Sequence, residues 1–124
     1  MILIDSYGWI EYFAEGSLAS RYAPYVERSN ESNTVTPTIV VFEVYRRLKR
    51  EKGEEKALEA YAQISRTKVI ELDAHRALTA GDVSLKTGLG MADSIVYSTA
   101  RDYGAELVTS DQHMKGLEGV KFIQ

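Results

Sequence analysis

The stretch Met1-Ile2-Leu3-Ile4-Asp5-Ser6 decides how this chain of 124 residues is read. Three consecutive apolar residues suit a short parallel strand covered on both faces, where no position has to be polar. Asp5 then stands at the carboxyl end of that strand, just ahead of a segment with helical spacing through Trp9, Ile10, Tyr12 and Phe13. A strand that ends on a carboxylate and runs into a helix opens a βα unit. Near the other end, Glu106 to Thr109 reads as a strand followed by Ser110 and Asp111, and Val120 to Ile123 reads as a last strand.

The helix after Asp5 is expected to stop near Gly16, and Leu18, Tyr22, Tyr25 and Val26 continue a helical spacing that Pro24 is expected to interrupt. Glu27 to Asn33 is polar and turn-rich, and Val35 is at best a short strand. Beyond Pro37, Thr38 to Lys52 predicts a long helix, and Glu54 to about Ser65 a second one, amphipathic through Leu58, Tyr61, Ala62 and Ile64. Val69 to Leu72 alternates like a strand. Asp73 or Ala74 opens a helix to Lys86 closed by Thr87-Gly88, and Met91 to Tyr103 is a helix ended by Gly104. Strands alternating with helices predict an α/β fold on a parallel sheet, and the length suits one domain over 1–124.

Composition narrows the function. The chain has no cysteine, which excludes disulfides and thiol chemistry, and its two histidines, His75 and His113, show no zinc-ligand spacing. With no signal-peptide pattern and no apolar run of membrane-spanning length, the expectation is a soluble protein of the cytoplasm. A net charge of -3 argues against holding nucleic acid by bulk positive charge. A divalent cation in an acidic site would invert that field locally.

Four acids carry the chemistry. Asp5 and Asp111 follow predicted strands, Asp93 opens a helix within Met91-Ala92-Asp93-Ser94-Ile95-Val96-Tyr97, and Glu43 lies inside the apolar run Val40-Val41-Phe42-Glu43-Val44. Each has an ordinary alternative. Asp5 can cap the helix that starts at Ser6, Asp111 the turn at Gln112-His113, Asp93 can favour a helix dipole, and Glu43 can pair with Arg46 or Arg47 three and four residues on. Taken together those alternatives need four unrelated coincidences. One hard-cation site needs only four oxygen donors, and Mg²⁺ or Mn²⁺ is held by a few carboxylates that leave room for water. Such a site suits phosphodiester hydrolysis.

The stretches Met1 to Ser6, the Glu43 helix entered through Thr36-Pro37, Met91 to Ser94, and Leu107-Val108-Thr109-Ser110-Asp111 together resemble the four acidic motifs of the PIN-domain ribonucleases. Length and motif order are similar to the VapC-type toxins of prokaryotic toxin–antitoxin pairs. The resemblance implies a three-layer α/β/α sandwich on a mostly parallel central sheet, with Asp5, Glu43, Asp93 and Asp111 gathering one or two Mg²⁺ or Mn²⁺ ions. It also implies endonucleolytic RNA cleavage, a homodimer, and an antitoxin that feeds a peptide into the acidic groove. Ser6 and Thr109 match polar positions of the motifs and would orient carboxylates or water. Met114 departs from the pattern, because many relatives carry an aromatic there.

The run Arg46-Arg47-Leu48-Lys49-Arg50 reads either as a solvated helix face or as an RNA-phosphate track through Arg46, Arg47, Lys49 and Arg50. Trp9, Tyr12 and Phe13 fit a core better than a base-stacking role, Tyr45, Tyr61 and Ile64 suit an interface, and His113 reads more readily as an exposed turn residue than as a proton donor for the leaving group. The main alternative function is a non-catalytic PIN-fold module that docks a partner protein or RNA. A phosphoacceptor receiver domain would need an acidic pair after the first strand and a late lysine, and neither is present.

Overall fold

The computed structural model describes residues 1–124, and it alternates strands with helices as the sequence predicts. In chain order these are β1 (Ile2–Ile4), α1 (Ser6–Phe13), α2 (Ala19–Arg28), β2 (Val35–Pro37), α3 (Thr38–Lys52), α4 (Glu54–Ile64), β3 (Lys68–Ile70), α5 (Ala74–Thr87), α6 (Met91–Asp102), β4 (Glu106–Thr109) and β5 (Val120–Phe122). A single 3-10 turn, Gln112–Met114, follows β4. No helix is long and apolar enough to cross a membrane.

Every strand pairing is parallel. β4 lies between β1 and β5, with Ile4 opposite Val108 and Thr109 opposite Phe122. β2 pairs with β3, and a parallel bridge between Ile2 and Thr34 sets β2 beside β1, so the strands run β3-β2-β1-β4-β5. The connections β1 to β2 and β2 to β3 step one way, whereas β3 to β4 crosses back and β4 to β5 continues outward. Right-handed crossovers then put α1 to α4 on one face and α5 and α6 on the other, which makes three layers. The direction of travel reverses between β1 and β4. Ligands of open parallel sheets bind beyond the carboxyl ends of the strands at such a point, and there Asp5 and Asp111 emerge.

The core agrees with the apolar runs and refines them. Leu3, Ile4, Leu107 and Val108 are fully buried, as strands covered on both faces require. Trp9 is also fully buried, and its indole N–H donates to the Ile4 carbonyl at 3.2 Å, so it is a core residue that fixes the end of β1. Met114 is fully buried too, closing the loop after Asp111 without an aromatic.

Three expectations differ. α2 continues through Pro24, because the bond Pro24 cannot make belongs to the carbonyl of Ser20, an exposed residue that water can satisfy. The inner face of α4 is Ala57, Ala60 and Ile64, while Leu58 and Tyr61 are exposed. Small residues let α4 approach α3, and Ile64 is therefore core and not interface. β3 is Lys68–Ile70, shifted toward the N-terminus from Val69–Leu72, because its register is set by pairing with Val35–Pro37.

Gly8 is where α1 meets β1 and α2. A methyl group there would lie 2.6 Å from Ile4 Cγ2 and 2.7 Å from the Tyr22 ring, both deep in the core. Alanine inside a helix normally stabilises by about 1 kcal/mol relative to glycine. Here overpacking reverses the sign, and Gly8→Ala is expected to lower stability by roughly 1–3 kcal/mol in urea unfolding. A variant as stable as the parent would show that this contact relaxes freely.

Candidate active site

Asp5 ends β1 and uses both of its oxygens. Oδ1 accepts the backbone N–H of Ser6 at 2.7 Å, and Oδ2 accepts the hydroxyl of Thr109 at 2.8 Å. Thr109 in turn accepts the backbone N–H of Asp111 at 3.0 Å. One buried threonine thus ties the ends of β1 and β4 together and sets Asp111 relative to Asp5. Asp111 caps the turn after β4, accepting the His113 N–H at 2.9 Å. Both aspartates are caps as well as members of the cluster, since an ionised carboxylate has about four acceptor positions and these bonds leave some free.

Glu43 comes from α3 and has no cation partner. Arg47 turns away to Glu51 at 3.0 Å, and Arg46 forms no ion pair. The salt-bridge alternative for Glu43 does not hold. Asp93 sits in the first turn of α6 after Gly90. His113 Nδ1 lies 3.2 Å from Asp111 Oδ1 and 3.8 Å from Asp93 Oδ2.

Asp5, Glu43, Asp93 and Asp111 come from four separate segments and line one cleft of about 440 Å³, with Ser6, Arg46 and Arg47 at its wall. Thr109 lies beneath it, fully buried. Lys49 and Arg50 are elsewhere, on an adjoining cleft of the same helix. The four-cation run is therefore divided: Arg47 lines only the acidic cleft, Arg46 lines both, and Lys49 and Arg50, which share the helix face of Arg46 at offsets of three and four, line only the second. His113 and Tyr7 also line the acidic cleft. Their signals in the sequence were the Asp111-x-His113 spacing, and for Tyr7 its place directly after Ser6.

Packing these charges together strains their ionisation. Burial pushes the Asp5 carboxyl up from 3.8 to about 6, against the pull of its bonds from Thr109 and Ser6, and the charges of Glu43 and Asp93 add to the rise. Burial likewise raises Glu43; Ser6 draws it down, while Asp93 and Asp111 push it up. Asp93 is raised by burial and by Asp111, and His113 offsets part of this. No lysine or arginine is paired with any of the four. A group of unneutralised carboxylates is the donor set that a hard divalent cation fits. The group whose ligand atoms lie within 4.8 Å of one another, close enough to share one ion, is Asp93, Asp111 and His113; Asp5 and Glu43 line the same cleft outside that group.

Comparison with known proteins bears on this arrangement. The family model described as the PIN domain matches residues 2–120. A search of curated protein sequences finds no match. Among solved structures, the chain is similar to a toxin–antitoxin complex from Klebsiella pneumoniae, at TM-score 0.79 and 21% identity over 98% of this chain and 96% of that one. It is also similar to Mycobacterium tuberculosis VapC20, described as a sarcin–ricin loop cleaving toxin, at TM-score 0.73 and 16% identity over 86% of this chain and 85% of that one. A third is VapBC2 from Rickettsia felis, bound to a DNA fragment from its promoter, at TM-score 0.73 and 16% identity over the full length of both chains. At these identities the likeness is one of fold.

The raised carboxyls make a stability prediction. Asp5, Glu43 and Asp93 hold their protons more tightly in the fold than in the open chain, so the native state binds more protons than the unfolded state between about pH 4 and pH 6. Stability then falls as pH rises through that window, by on the order of 3 kcal/mol for a shift the size of that at Asp5. In metal-free buffer, urea unfolding is expected to show a more stable protein at pH 5 than at pH 7, and millimolar Mn²⁺ at pH 7 to recover much of the difference. Equal stability at both pH values would contradict the clustering of charge.

Proposed function

The chain belongs to the PIN domain family, and on that premise we propose that it is a Mg²⁺- or Mn²⁺-dependent endoribonuclease, the toxin of a type II toxin–antitoxin pair. The observation that carries this reading is the meeting of Asp5, Glu43, Asp93 and Asp111 in one cleft with no lysine or arginine paired to any of them. Two of the similar structures, a toxin–antitoxin complex and a sarcin–ricin loop cleaving toxin, support the same reading.

In this reading the four carboxylates lining the cleft would hold the ion or ions, with His113 as a nitrogen donor beside Asp93 and Asp111. A bound divalent ion supplies a water nucleophile at neutral pH and stabilises charge on the phosphate and the leaving oxygen. The chain's own residues do the rest. Thr109 and the Ser6 backbone hold Asp5 in a fixed rotamer, so the most buried carboxylate presents its remaining lone pairs in one direction. Ser6 faces Glu43 and steadies its charged form. Arg46 and Arg47, on the wall beside the acids, are placed to take an RNA phosphate, whereas Lys49 and Arg50 would act further along the strand.

The reading extends to partners. The chain acts as one domain over 1–124, as a homodimer in the cytoplasm, restrained by a small antitoxin that occupies the acidic cleft. A docking module with no chemistry to perform has no need of four carboxylates kept together against their repulsion, so that alternative is set aside.

Purified protein incubated with total cellular RNA is expected to cut with Mg²⁺ or Mn²⁺ and not with EDTA. Asp93→Asn keeps the shape of the side chain and removes one of the repelling charges. It is expected to lose at least about 100-fold in cleavage rate while melting no lower than the parent in metal-free buffer. An Asp93→Asn protein that unfolds, or one that cuts as well as the parent, would remove Asp93 from the site.

A further inference from the structure

Phe42 has no part in the chemistry proposed above, yet it stands one residue from Glu43 with 62% of its surface exposed. It is not a core residue that failed to pack, because α3 buries Val40, Val44 and Leu48 on its inner side and Phe42 points elsewhere. It lines the acidic cleft together with Tyr7, another exposed ring, and it also lines the adjoining cleft of about 470 Å³ formed by Val41, Tyr45, Arg46, Lys49 and Arg50. Phe42 and Arg46, one turn apart on α3, belong to both, so the two clefts are continuous along one edge of the helix.

Charge along this edge is uneven in an informative way. Lys49 and Arg50 are engaged by Glu54 and Glu51, and Lys49 also lies 5.3 Å from the Tyr45 ring centre. Arg46, at the junction of the clefts, has no ion pair. A path that leaves a cluster of carboxylates over an exposed ring, passes an unneutralised guanidinium and continues beside a second ring edged by cations alternates stacking surfaces with phosphate partners. Single-stranded nucleic acid is bound by that alternation. A duplex cannot use it, because its bases are already stacked on one another.

We propose that Phe42, with Tyr7 beside it, is a stacking platform for unpaired nucleobases, and that single-stranded RNA leaves the acidic cleft across Phe42 into the cleft lined by Tyr45, with Arg46 holding the intervening phosphate. This rests on the ribonuclease reading and adds to it the route of the strand and the residues that select unpaired bases. The occupant is RNA and not a protein segment, because the path starts at the acidic centre and the unpaired guanidinium of Arg46 stands where the two clefts join.

The test uses a single-stranded oligoribonucleotide carrying 5-iodouridine, with Mg²⁺ present and Asp93→Asn in the protein so that the RNA stays whole. Phe42→Ala and Phe42→Leu are expected to weaken binding roughly 10- to 100-fold, and Phe42→Trp to keep it, since stacking needs a π-face and not merely apolar area. Ultraviolet cross-linking is expected to attach the RNA to peptides containing Tyr7, Phe42 or Tyr45, and the same sequence as a duplex to bind no better than the Phe42→Ala protein binds the single strand. Phe42 is exposed enough for these changes to leave the fold intact. Unchanged affinity in all three variants, in a protein that still cleaves RNA without the Asp93 change, would overturn this inference and leave the ribonuclease reading standing. If the parent chain neither cuts nor binds RNA, that reading fails and the inference with it. A change in oligomeric state on size exclusion, without a change in RNA affinity, would assign the ring to a protein interface instead.

Discussion

The buried carboxylate of Asp5, held by the Thr109 hydroxyl at the seam between β1 and β4, is the constraint on which the rest of the structure depends. Burying a charge is costly unless it is bonded or neutralised. The fold meets part of that cost with two hydrogen bonds and leaves the remainder unmet, which is why Asp5 titrates near 6. Thr109 can reach Asp5 only if β1 and β4 are neighbours in register, and that adjacency requires the chain to cross back over the sheet after β3. The position of one side chain thus depends on the topology of the whole sheet.

The same seam gathers the other acids. Asp111 is aligned through Thr109, and Asp93 and Glu43 come from helices on opposite faces, α6 and α3, whose ends meet beyond the strands. Stability and function therefore pull against each other here. A chain built only to be stable would replace at least one of these carboxylates or give it a lysine. This one retains four acids and pairs neither nearby arginine with them: Arg47 bonds Glu51, and Arg46, on the wall of the same cleft, forms no ion pair. The divalent cation proposed for the site would supply the missing neutralisation, coupling metal binding to order.

Much of this was legible before the structure, and the parts that were not share a cause. Short apolar runs ending in Asp5 and Asp111 marked strands and their carboxyl ends, because a strand covered on both faces leaves a simple signature. Glu43 was identifiable because a carboxylate in an apolar helical run away from any helix start has no capping role, which left a salt bridge to Arg46 or Arg47 as its one ordinary explanation. The caps at Asp5 and Asp111 turned out to be real, and they coexist with the cluster instead of competing with it. By contrast, the order of strands, the inner face of α4 and the division of the basic run between two clefts depend on which elements pack together, and local periodicity does not carry that. The spacing that drew attention to His113 did not show that it faces Asp93 as well as Asp111. Tyr7 and Phe42 were obscure for the same reason. Each is ordinary in sequence and acquires its meaning only from the cleft it faces.

The most direct test of the central claim is a crystal of the protein grown or soaked with Mn²⁺, measured for anomalous scattering. The account predicts at least one manganese peak in the cleft, coordinated by carboxylate oxygens of two or more of Asp5, Glu43, Asp93 and Asp111, with water completing its shell. A cleft without manganese at millimolar concentration, or a peak bound only by His113 and solvent at the rim, would contradict it.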